Sequence, residues 1–183
     1  TGIRRCGKSS LLGLTINRLL QQGTPKERIL YVGFDDERFL SMSPENFDEL
    51  LQAYREMYPD TSLKDVYMFF DEIQLIEGWE LFVLRVYKNY CKHIFVTGST
   101  AKMLSEEMAS ALRGWPDEYR EYPLSFKEYL AFKGIKANPF SEAGKAKLAV
   151  SFRGYCEEGG FPEVVLEKSK MEKVKILQSY FNT

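Results

Sequence analysis

The sequence predicts an α/β fold: a parallel β-sheet flanked by helices in three α/β/α layers, followed by a small helical subdomain. Three observations carry this. The chain opens on Gly2, four residues, then Gly7-Lys8-Ser9, directly ahead of an apolar run with helical spacing. Three apolar stretches, "RILYVG", "VYMFF" and "HIFV", run into acids or small polar residues. Helical patterns alternate with those stretches. Strands apolar on both faces that alternate with helices belong in a parallel sheet covered on both sides.

Taken in order, "SSLLGLTINRLLQQG" places Leu11, Leu12, Ile16, Leu19 and Leu20 at helical spacing and stops at Gly23. "RILYVGFDD" is a short apolar run closed by acids, a buried strand. "SPENFDELLQAYREMYP" offers Ser43 as cap and Pro44 at the first helical position, with Pro59 ending the helix. "VYMFFDEIQ" drives an apolar strand into two carboxylates, and "GWELFVLRVYKNY" follows with helical periodicity. "HIFVTGST" and "AKMLSEEMASALRG" repeat the strand-then-helix theme. "EYREYPLSFKEYLAFKG" reads as a last short strand, a turn and a helix. The remainder is mainly helical and broken at Gly159-Gly160-Phe161-Pro162. The expected division is a core over residues 1–137 and the start of a helical lid or C-terminal region over 138–183.

Composition excludes several classes. With 44% hydrophobic and 28% charged residues the chain has the make-up of a globular protein. A formal net charge of −1 gives no overall pull toward nucleic acid or anionic membrane, yet a balanced total can hide a local basic patch, so nucleic acid is neither supported nor excluded as a partner. No apolar run approaches the roughly 20 residues of a membrane span, and the start has no secretory layout, so the sequence reads as cytoplasmic. Cys6, Cys91 and Cys156 are far apart and odd in number, which fits neither a disulfide framework nor a zinc pair. His93 is the single histidine and reads as structural.

The chemistry sits along one edge, because ligands of such sheets bind at the carboxyl ends of the strands. Gly2 through Ser9 satisfies G-x-x-x-x-G-K-[ST], the phosphate-binding loop of P-loop NTPases. In that reading Gly2, Ile3, Arg4, Arg5, Cys6, Gly7, Lys8, Ser9 and Ser10 hold the nucleotide. Backbone N–H groups converge on phosphate oxygens at the positive end of a helix, and Lys8 is the point charge for the outer phosphates. Ser9 offers a hydroxyl to Mg²⁺, and Asp71 supplies the metal-holding carboxylate. Glu72 is placed to orient and deprotonate the attacking water. Thr97 or Ser99 serves as a sensor of the γ-phosphate, or else the Thr-Gly-Ser turn simply caps the next helix. Arg4 and Arg5 are either solvated or raise the local potential for a triphosphate. Cys6, beside Lys8 at a helix N-terminus, is expected to be the most reactive thiol. The aromatics Trp79, Phe82, Tyr87 and Tyr90 read as packing. A strand is expected ahead of Gly2, where only Thr1 stands.

With these residues assembled, the chain resembles the AAA-like ATPases of bacteria and archaea whose ATPase domain precedes a helical C-terminal region. The matching stretches are "GIRRCGKSSLL", "YVGFDDERF", "FFDEIQLIEGWE", "FVTGSTAKMLS", "LRG", "YPLSFKEYL" and "GGFPEVV". The resemblance implies a five-stranded parallel sheet, Gly2 to Ser9 as Walker A, Asp71 and Glu72 as Walker B, and a sensor between Thr97 and Ser99. It also implies that this sequence is part of a longer protein. Family members commonly carry a second arginine where Trp115 stands, and Arg113 is the substitute. The expected activity is Mg²⁺-dependent ATP binding and hydrolysis, with a protein partner or a homo-oligomer left open. The rivals are a nucleotide-gated binding module with negligible turnover and a small-molecule P-loop kinase.

Overall fold

The computed structural model describes residues 1–39, 41–98 and 117–181. They group into two compact units: Thr1–Gly2 with Lys8–Arg120, and Ile3–Gly7 with Glu121–Thr183. The helix expected from Ala101, with Ser99, Arg113 and Trp115, lies outside the described residues.

The first unit is built on three parallel strands in an open sheet: β1 (Ile29–Gly33), β2 (Tyr67–Asp71) and β3 (His93–Val96). They lie side by side in that order, with Gly33 opposite Asp71 and Phe70 opposite Val96. The ladder runs past the strand ends, since Phe34 N–H donates to Asp71 O and Thr97 N–H to Phe70 O. Central β2 is buried from Met68 to Asp71.

Strand alternation sorts the two faces. Val32, Met68 and Phe70 point into the main core, which α2 (Asn46–Met57) and α3 (Trp79–Asn89) cover. Phe47, Leu51 and Tyr54 of α2 and Trp79, Phe82, Val83 and Val86 of α3 follow the i, i+3/4, i+7 spacing of one apolar face. Phe47 and Phe82 stack across the two helices at 4.2 Å. Tyr31, Phe69 and Phe95 occupy the opposite face, where Phe69 and Phe95 stack at 4.7 Å, and α1 (Lys8–Gln21) packs beside β2. Helices therefore flank the sheet on both sides. Trp79 and Phe82 are core residues, in line with the packing expected of them.

Two local readings differ. Asn46 turns its side chain back to accept from Ser43 N–H at 2.9 Å, so a turn over 43–46 precedes α2 and Ser43 is not its cap. The segment read as a last strand is extended chain with one bridge residue, Glu121. Thr1 donates from its ammonium to Tyr119 O at 2.6 Å and from its hydroxyl to Glu118 at 2.7 Å.

The second unit is helical: α4 (Phe126–Phe132), α5 (Glu142–Glu158), α6 (Pro162–Leu166) and α7 (Lys170–Phe181). A reciprocal capping box of Ser125 and Glu128 opens α4. The break between α5 and α6 has a steric origin. A Cβ on Gly160 would lie 2.3 Å from Leu124 O, and Leu124 N–H donates to Gly160 O at 2.6 Å. The "PLSF" and "GGFP" segments thus meet backbone to backbone.

Candidate functional site

The loop between Gly2 and Ser9 is set by residues of unusual backbone conformation. Gly2 (φ 151°), Arg5 (φ 65°) and Gly7 (φ 104°) all have positive φ, and alternating the sign of φ turns successive N–H groups toward one concavity. Gly7 is glycine for its conformation, since a Cβ there meets nothing nearer than 3.8 Å. Helix α1 begins at Lys8, so its first N–H groups lack intrahelical acceptors. Ser9 and Ser10 are exposed in that first turn. Lys8 is only 6% exposed, and its ammonium donates to Gly2 O at 3.1 Å, tying the two ends of the loop.

The other half of the site hangs from the strand ends. Asp71 shares its face of β2 with Phe69 and is buried. Tyr31 donates its hydroxyl to Asp71 Oδ2 at 2.9 Å, and Thr97 donates to Asp71 Oδ1. The same Thr97 oxygen accepts the Glu72 N–H at 3.1 Å. One hydroxyl on the end of β3 therefore sets both carboxylate residues of β2. Burial, and then the Asp71 carboxylate, push the Tyr31 phenol up to about 12.

Glu72 adopts left-handed backbone (φ 51°, ψ 34°) before a single 3₁₀ turn at Ile73–Leu75. That conformation costs a non-glycine residue roughly 1 kcal/mol or more and marks a constrained position. Its Oε1 lies 3.9 Å from Lys8 Nζ, and its Oε2 accepts from the Gln74 amide. The loop lysine and the strand-end carboxylates are thus one cluster.

Of the residues expected from sequence, Gly2, Lys8, Asp71, Glu72 and Thr97 come together within this unit. The Thr97 hydroxyl is committed to Asp71 and Glu72. Ile3 and Arg4 are exposed. Arg5 belongs to the second unit, where it lies 3.8 Å from Glu163 and over the Tyr180 ring at 4.5 Å. Cys6 is buried and donates its thiol to Ile3 O at 3.0 Å, so the access that its expected reactivity needs is lacking. Asp36 binds Arg38 through two side-chain contacts of 2.9 and 2.7 Å and is lowered to about 2 by that partner, so it serves its own turn. Sequence reasoning missed Tyr31 and Gln74. Tyr31 could have been found by pairing β1 with β2 and reading which side chains share the Asp71 face.

Among the described residues no group of three or more His, Cys, Asp or Glu could hold a metal ion, and both Asp71 oxygens accept hydrogen bonds, from Tyr31 and Thr97. Mg²⁺ needs few protein ligands, because it keeps waters and takes substrate phosphates as its remaining ones. No helix among the described residues is long and apolar enough to cross a membrane.

Comparison with known proteins gives the family. An uncharacterized protein of Methanocaldococcus jannaschii is 35% identical over 182 residues, covering 99% of this chain and 39% of that protein. An uncharacterized protein of Haemophilus influenzae is 34% identical over 184 residues, covering all of this chain and 43% of that protein. The chain thus spans about two fifths of the length of these relatives. The model of the AAA domain matches residues 1–130, and the chain belongs to that family.

Proposed function

We propose that this chain carries the Mg²⁺-dependent ATPase site of a larger protein and couples nucleotide state to movement of a C-terminal region. Family membership makes it a nucleotide-binding, ATPase-like domain. The observation that carries the finer reading is the approach of buried Lys8 to Glu72, beside Asp71 and at the mouth of a positive-φ loop.

In this reading the loop N–H groups and Lys8 bind the β- and γ-phosphates. Ser9 and Asp71 hold Mg²⁺, whose role is to neutralise charge between the phosphates. Glu72 accepts a proton from water as the water oxygen bonds to the γ-phosphorus. The bond from that phosphorus to the bridging oxygen breaks, and ADP leaves with the electron pair. Arg113 supplies further positive charge in this scheme, and Ser99 is the alternative to Thr97 as sensor of the γ-phosphate. Core and helical region are assigned to residues 1–137 and 138–183.

Coupling is supported by Arg5. This loop residue has left-handed backbone and holds Glu163 of α6 and Tyr180 of α7, which are joined by a 2.6 Å hydrogen bond. Phosphates that reorganise the loop would act on that cluster. The same contact would serve a nucleotide-gated module without turnover. Multiple-turnover phosphate release in the full-length protein separates the readings. An ATPase releases phosphate catalytically and loses this in Glu72→Gln while still binding ATP. A gate binds ATP and releases none.

A further inference from the structure

We propose that Gln74 is the positioning residue for Glu72, fixing the carboxylate that receives the water proton; this rests on the ATPase reading above. Gln74 is two residues past Glu72, a spacing at which an α-helix would not bring the two side chains together. The 3₁₀ turn does. Leu75 N–H donates to Glu72 O at 3.1 Å and Ile76 N–H to Ile73 O at 3.0 Å, while Ile73 and Ile76 are buried in the core. The turn is pinned from beneath, and Gln74 folds back so that its Nε2 donates to Glu72 Oε2.

Gln74 gains little for itself. Its Oε1 is buried and has no hydrogen-bond partner among the described residues. Flipping the amide would bring this oxygen against the Glu72 carboxylate, so the orientation is determined by that neighbour. A buried acceptor without a donor is destabilising, and an apolar side chain of the same shape would avoid it. An amide kept in such a place serves something other than stability. Glu72 has two anchors, Lys8 at 3.9 Å on Oε1 and Gln74 on Oε2. Bound phosphates compete with Glu72 for the Lys8 ammonium. Gln74 then remains to hold Glu72 in place while it takes the proton, with the water oxygen going to phosphorus and ADP departing as described.

The test uses the full-length protein with Gln74→Met, which keeps the volume and removes the donor, and Gln74→Glu, which keeps the shape and replaces the donor with a carboxylate. Both should lower kcat about ten- to a hundredfold, the scale of a misplaced catalytic group, and leave ATP affinity within about twofold. Gln74→Met should melt no lower than wild type, because the orphan acceptor is gone. In a Glu72→Gln background, Gln74→Met should change the residual rate by less than about twofold, since no base is left to position. Wild-type kcat in both single variants overturns the proposal. So does an equal loss of rate in the Glu72→Gln background, or a loss of rate that tracks a loss of stability or of ATP affinity. A wild-type protein with no turnover sensitive to Glu72→Gln removes the ATPase reading itself, and this proposal with it.

Discussion

Thr97 shows how one small side chain can organise two acids. Its oxygen receives the Glu72 N–H and gives its own proton to Asp71. Thr97→Val conserves shape but strands a backbone donor and a buried carboxylate oxygen. A loss of about 2 kcal/mol in denaturant unfolding is expected, the scale for hydrogen bonds to charged groups, together with weaker Mg²⁺ dependence of ATP binding. Unchanged stability would show the contacts to be incidental. Tyrosines give a pH signature. Tyr31 and Tyr180 are both raised to about 12 by burial and then by a carboxylate partner, Asp71 and Glu163 respectively. A raised phenol keeps its proton in the folded chain after the unfolded chain has lost it. Its stabilisation is therefore complete below about pH 10 and is lost as pH climbs toward 12. Melting temperatures should fall over that window, and Tyr31→Phe should reduce the fall. Among the thiols, exposed Cys156 should be labelled before buried Cys6 and Cys91. Mass spectrometry showing Cys6 labelled first would mean that the loop opens far more readily than its Ile3 contact implies.

At the scale of elements, legibility followed periodicity. β1, β2, β3 and α1 were readable because apolar runs, Gly23 and the loop motif are local signals. The acids at the end of β2 were readable for the same reason: "VYMFFDE" has one natural strand end. The left-handed Glu72 and the turn that brings Gln74 onto it were not, because nothing in "DEIQ" announces a positive φ at a glutamate. Nor did sequence show the ion cluster among α4, α5 and α7. Glu158 meets Lys173 at 2.7 Å and Lys133 at 3.1 Å, drawn from helices far apart in the chain. Burial resists ionisation of Glu158, but the two lysines outweigh it and hold the carboxyl below its usual range. That contribution is present above about pH 4.3 and is lost as pH falls. Glu158→Gln leaves Lys173, 7% exposed, beside Lys133 without a counter-charge. It should cost about 2 to 3 kcal/mol, short of a fully buried pair because Glu158 keeps partial solvent contact. Equal urea midpoints for variant and wild type would show the cluster to be neutral.

At the scale of the whole molecule, function rests on a phosphate loop and two strand-end acids. Loop and acids meet through Lys8, so the central claim is that this cluster is the ATP site. Calorimetric titration of Mg-ATP into the full-length protein and its Lys8→Ala variant tests it most directly. Losing a desolvated charge that pairs with phosphate costs about 2 to 5 kcal/mol, so the variant should bind at least about thirtyfold more weakly while remaining folded by circular dichroism. Equal affinity in a folded Lys8→Ala protein would contradict the claim and place the nucleotide elsewhere.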